Sequence, residues 1–145
     1  MNTLPLAPGD QVRFRKTVTE TDVYLFAGIT GDFSPDHIDA MSSVAKRAGR
    51  IVHGALLIGF MSTASARIHE RHDVPNVSYG YDRVRFVKPV YFGDTVQVDY
   101  VVDEIDLSTN RAFANVTCTN QHSEVVAVAR HIVKFVPEVG DEPSD

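Results

Sequence analysis

Asp32 and His37 stand five positions apart in the segment Gly31-Asp32-Phe33-Ser34-Pro35-Asp36-His37-Ile38-Asp39. A free carboxylate is ionised near neutrality and a free imidazole mostly neutral, so such a pair can hold a water, remove one proton and return one. Ser34-Pro35 between them reads as a helix start, a capping hydroxyl followed by proline at the first helical position. The chain reverses there, and both side chains can face one pocket. A second segment, Ile51-Val52-His53-Gly54, directly precedes an apolar helical run. A helix N-terminus offers free N–H groups and a partial positive charge of about half a unit. Glycine lets a substrate approach that backbone, so the Gly54 N–H could stabilise an oxyanion. Each segment also has a plainer reading: Asp32 in an Asx turn, His37 on the surface of a first helical turn, Gly54 an ordinary loop glycine and His53 a satisfied loop histidine.

The elements that must position these groups follow from periodicity. Residues 11–19 alternate and predict a first strand. Thr19 to Asp22 offer N-cap groups before the apolar run Val23 to Ala27, so a short helix should follow and end near Gly28 or Gly31. From Ser34 a short helix or turn is expected to run to about Lys46, with Gly49 interrupting it. Residues 54–68 form the strongest helical segment; apolar residues cover most of its circumference, which predicts a mostly buried helix. After Pro75 the period becomes two. Val77, Tyr79 and Tyr81 alternate, then Val84 and Phe86 on the opposite parity, which predicts a β-bulge near Asp82-Arg83. Val96 to Val102, Ala112 to Cys118 and Val125 to Val136 complete four strands, whose short turns predict an antiparallel meander. The sum is an α+β chain with one long helix wrapped by a curved antiparallel sheet, a hot-dog fold. Its open edge strand predicts a homodimer.

Together the two chemical segments resemble the MaoC-like (R)-specific enoyl-CoA hydratases. The family's GD-x-N-P-x-H-x-D pattern is matched by residues 31–39, its I-V-H-G-x-L-L pattern by residues 51–57, and its F-x-x-P-V-x-x-G-D-x-V pattern by Phe86, Pro89, Val90, Gly93, Asp94 and Val96. The likeness runs from about residue 8 to 136. It implies a hot-dog dimer that adds water across a trans-2-enoyl-CoA to give the (R)-3-hydroxyacyl-CoA, with Asp32 and His37 catalytic and the Gly54 N–H as the oxyanion donor. The same chemistry run in reverse on carrier-protein thioesters is a close variant. No metal or organic cofactor is implied. A family serine falls on Ser62. Eight residues of helix span ~12 Å, so Ser62 cannot share the oxyanion site with Gly54 and is expected to orient Asp32 instead. The chain departs from the family pattern at Ser34, where Asn is usual, and at Asp36, where an apolar residue is usual. A carboxylate there could raise the pKa of His37 if it lies close.

Composition sets outer bounds. The 145 residues suit one domain, expected over 1–136, with a flexible acidic tail at 137–145. Lys plus Arg number 14 against 19 Asp plus Glu, a net charge of −5 with no basic run, so no nucleic-acid partner is expected. No apolar stretch reaches the roughly 18 residues of a membrane span, and Pro5 and Pro8 argue against a signal peptide, so a cytoplasmic setting is expected. The single cysteine, Cys118, sits in an alternating strand and reads as a buried small hydrophobe. His69 and His72 lack a third metal ligand and read as helix-end histidines. Arg83, Arg85 and Lys88 form a local basic cluster, readable as a solvated strand face or as a contact for the CoA phosphates. Two other functions suit the same fold: a non-catalytic acyl-CoA-binding or heterodimer-partner module, and a thioesterase.

Overall fold

A computed structural model describes residues 3–136; the expected tail, 137–145, lies outside the described residues. Five strands and four helices follow in the order β1 Gln11–Thr17, α1 Glu20–Thr30, α2 Pro35–Ile38, α3 Ala45–Ala48, α4 Gly54–His69, β2 Asn76–Phe86, β3 Thr95–Asp106, β4 Arg111–Thr119 and β5 Val125–Phe135. All strand pairs are antiparallel, in the order β1-β3-β4-β5-β2.

The sheet corrects one expectation. β3, β4 and β5 form a meander, but β2 does not continue it: β2 pairs with β5 at the far edge, with Tyr81 opposite His131. The chain from 87 to 94 therefore crosses the end of the sheet to reach β3. It is stitched on the way: the Val87 N–H donates to the Val126 carbonyl at 2.9 Å, the Val52 N–H to Val90 at 2.7 Å and the Gly93 N–H to Val18 at 2.7 Å. The parity slip in β2 is a bulge, with a register shift between Asp82 and Arg85 and Arg83 at φ 53°.

α4 lies on β1, β3 and β4. Leu57, Phe60, Met61, Ala64 and Ile68 point down onto the alternating buried residues Val96, Val98, Tyr100 and Val102 of β3 and Ala112, Ala114, Val116 and Cys118 of β4. Only this face is buried. The opposite face carries the exposed small residues Ala55, Gly59, Ser62 and Ala66, so the helix is half covered within one chain rather than enclosed. The run expected from Ser34 to Lys46 divides into α2 and α3, the latter closed by Gly49 at φ 105°.

Behind the far end of α4 lies a buried polar cluster. His131 is fully buried and bonds to the Ser78 hydroxyl at 2.8 Å and the Tyr100 hydroxyl at 2.9 Å, and its ring stacks on Tyr81. Burial lowers His131 to a pKa of about 4. His69 is likewise lowered to about 4, first by burial and then by His72. His69 and His72 bond to each other at 2.9 Å.

Candidate active site

The site begins with the end of α1. Thr19 caps that helix reciprocally with Asp22, the Asp22 N–H reaching the Thr19 hydroxyl at 3.2 Å and the Thr19 N–H reaching the Asp22 carboxylate at 2.8 Å. Gly31 closes it in the left-handed region at φ 82°, its N–H on the Ala27 carbonyl at 2.8 Å. That turn delivers Asp32. The Asp32 carboxylate then accepts from the Ser34 hydroxyl at 2.6 Å and the Ser34 N–H at 3.2 Å. These bonds, the hydroxyl first, hold Asp32 below the ordinary carboxylate range, with smaller help from His53 and His37.

Pro35 starts α2 and places His37 one turn on. The His37 Nδ1–H donates to the Ile51 carbonyl at 2.7 Å, because a carbonyl can only accept. This assigns the tautomer and leaves Nε2 as the free acceptor of the neutral ring. The Ile51 N–H returns a bond to the Asp36 carbonyl at 3.1 Å, and Ile51 bridges Tyr91. Asp32, His37 and His53 come together, with one ligand atom from each within 4.8 Å of the others. The His37 and His53 rings stack at 3.7 Å with planes 27° apart, so their lone pairs lie in nearly parallel planes. That arrangement suits proton movement better than tetrahedral chelation.

Gly54 opens α4, and its N–H has no partner four residues back in the helix. A Cβ here would lie 2.8 Å from the half-exposed Phe86 ring, so any larger residue would push that ring aside, a contact the sequence pattern did not reveal. His37, Gly54, Leu57, Phe86, Lys88 and Pro89 line one cavity of about 300 Å³. A second hollow of about 310 Å³, at Arg50, Tyr91 and Phe92, contains neither Asp32 nor His37.

The family model for the MaoC like domain matches residues 4–126. The chain belongs to the MaoC-like domain family. Among its relatives, an (R)-specific enoyl-CoA hydratase of Rhodospirillum rubrum is 34% identical over 77% of this chain and 76% of that one. A 3-hydroxybutyryl-CoA dehydratase of Methylorubrum extorquens is 33% identical over 89% and 80%. A solved (R)-hydratase from A. caviae involved in PHA biosynthesis matches with a TM-score of 0.80, covering 92% of this chain and 100% of that one. Its 23% identity makes that likeness one of fold, and the fold is the expected hot dog.

Within this MaoC-like chain not every expected residue reaches the cavity. Ser62 is exposed on α4 and lies beside the Tyr81 hydroxyl, which has no hydrogen bond of ordinary geometry. It is therefore Ser34, not Ser62, that hydrogen-bonds and orients Asp32. Of the basic cluster, Lys88 lines the cavity and pairs with Glu124 at 2.7 Å. Arg83 sits at the bulge and Arg85 bonds to the neighbouring Val84 carbonyl, both exposed. Cys118 is fully buried, as expected, and burial pushes its thiol up to about 12. Among the described residues no helix is long and apolar enough to cross a membrane.

Proposed function

We propose that this MaoC-like chain interconverts trans-2-enoyl and (R)-3-hydroxyacyl thioesters of CoA or of an acyl carrier protein by adding or removing water. The observation that carries the reading is that His37 lines one apolar-walled cavity together with Gly54 at the α4 N-terminus, while Asp32 stands beside that cavity with a carboxylate oxygen within 4.8 Å of a His37 ring nitrogen. The curated hydratase and dehydratase relatives support it.

The parts fit a syn addition. A carboxylate held below its usual range is a weak base and a steady acceptor, so Asp32 orients the water. His37 Nε2 takes the water's proton as its oxygen bonds to the β-carbon. The thioester oxygen becomes enolate-like, and the Gly54 N–H with the α4 dipole stabilises that charge. The same His37 proton then passes to the α-carbon on that face. Water is consumed, no proton is left over, and the dyad returns to its starting state.

The active form in this reading is a homodimer. β2 is an open edge carrying exposed Val77 and Tyr79, and the outer face of α4 is a stripe of small residues that allows a second helix close approach.

The test follows loss of the enoyl absorbance of crotonyl-CoA, and of crotonyl carrier protein in parallel, with Asp32→Asn and His37→Gln beside the wild type. Hydration to the (R) product, reduced at least about 100-fold in each variant, is expected. Free thiol without a hydroxyacyl product would establish a thioesterase instead. Tight acyl-CoA binding without turnover across a series of chain lengths would establish a silent binding module.

A further inference from the structure

The working parts of the proposed site come from two stretches of chain, and one buried side chain of the second touches both Asp32 and His37 of the first. His53 is 2% exposed. Its Nε2–H donates to the Asp32 carbonyl oxygen at 2.9 Å. Its ring stacks on His37 at 3.7 Å. Its own peptide bond leads into Gly54, and Phe26 of α1 packs against the ring at 4.7 Å. Its Nδ1 is buried without a partner among the described residues. An orphaned buried nitrogen is unfavourable, so an apolar ring would serve better if packing were the whole role.

We infer that His53 is the positioning residue of the site, setting the separation of Asp32 from His37 by holding the first through its backbone and the second through its ring. The inference rests on the reading of Asp32 and His37 given above. The bonds of the Asp32 carboxylate go to Ser34, two residues away, and move with the loop. His37 is anchored separately, to Ile51. Among the described residues, no other side-chain hydrogen bond joins loop 31–34 to segment 51–54. Without His53 only the short turn between them, where the His37 N–H donates to the Ser34 carbonyl at 3.0 Å, sets their separation, and Asp32 loses its tie to the segment that anchors the His37 ring. A drift of about 1 Å in such a pair can cost on the order of 100-fold in rate.

Two substitutions separate bond from ring. His53→Gln keeps an N–H near the Nε2 position and loses the ring. His53→Phe keeps a ring and loses the donor. kcat and KM are measured with trans-2-enoyl-CoAs from crotonyl upward, together with thermal melting and the ¹³C resonance of the Asp32 carbonyl. The expected result for His53→Phe is a fall in kcat of about 10- to 100-fold with KM within about threefold, a moved Asp32 carbonyl resonance and a native melting transition. His53→Gln should keep the resonance and stay at least about fivefold faster than His53→Phe. If His53→Phe does not fold, His53→Asn, too short to reach Asp32, takes its place against His53→Gln. Wild-type kcat in the donor-less variant, or equal losses in the donor-less and Gln variants, overturns the inference. The dyad variants Asp32→Asn and His37→Gln run beside them. If those two keep full turnover, the reading of the reaction fails; if they lose it while His53→Phe does not, only the positioning role fails.

Discussion

Ser34 shows how one side chain sets the character of another. The family pattern has an amide at this position, and here a hydroxyl only two residues from Asp32 closes a 2.6 Å bond on its carboxylate. The bond stabilises the charged form, so the Asp32 pKa is lowered. Ser34→Ala removes the hydroxyl and leaves the weaker N–H bond at 3.2 Å. The Asp32 pKa should then rise toward the ordinary carboxylate value, read by ¹³C titration of its side-chain carboxyl. An unchanged titration in the variant would refute Ser34 as the group that holds Asp32 acidic. Asp36, the other departure from the pattern, is half-buried, and its backbone carbonyl accepts from Ile51 and helps fix α2 against the segment before α4.

At the scale of elements, α4 and β2 are each incomplete in one chain. α4 buries Leu57, Phe60, Met61, Ala64 and Ile68 and exposes Ala55, Gly59, Ser62 and Ala66. β2 has β5 on one side and, among the described residues, no strand on the other. Small residues on the outer face of a helix let another backbone approach closely, and an open edge supplies unpaired N–H and C=O groups. Both features are met at once by a two-fold partner. Gly59→Arg places a charged, bulky group in the middle of the stripe, at an exposed position with nothing within 4 Å of its Cβ. The fold of one chain should therefore survive it. Light scattering after size exclusion should give a dimer for the wild type and a monomer for Gly59→Arg. A wild-type monomer, or a variant that remains dimeric, would count against this interface.

For the whole molecule the pH dependence of stability follows from the buried histidines. His69 and His131 are both lowered from 6.5 to about 4, chiefly by burial. Between those values the unfolded chain binds protons that the folded chain does not. Their contribution is therefore fully present above pH 6.5 and is lost as the pH falls toward 4, at up to about 1.4 kcal/mol per pH unit for each group. Carboxylates such as Asp106, lowered to about 2 by the Ser108 and Thr109 hydroxyls, lose their contribution only below 3.8 and hence at more acid pH. The urea midpoint should fall steadily from pH 6.5 to 4.5, and His131→Phe should flatten the slope. A midpoint constant over that window would show that the two histidines titrate alike in the folded and unfolded chains.

The elements were legible in the sequence because their causes are local. The alternation in residues 96–102 and 112–118 states which side chains of β3 and β4 face inward, the parity slip marks the bulge at Arg83, and Thr19 and Gly31 bound α1. The fold class and the Asp32, His37 and Gly54 segments were legible too, since each is a short run with its own spacing. Partnerships across the chain were not. The turn beside Gly93 suggested that β2 pairs with β3, yet pairing is decided by which strand covers β5, a contact some 50 residues away. Ser62 carried the right residue type and reached Tyr81, because its position around α4 turns it away from Asp32. The Phe86 ring against Gly54, the stack of His37 on His53 and the Tyr100–His131 bond join residues 32, 16 and 31 positions apart. Sequence alone determined the chemical groups and the period of each element. Tertiary structure alone decided which groups meet, because contact depends on how α4 and the sheet close on each other, and no local spacing encodes that distance.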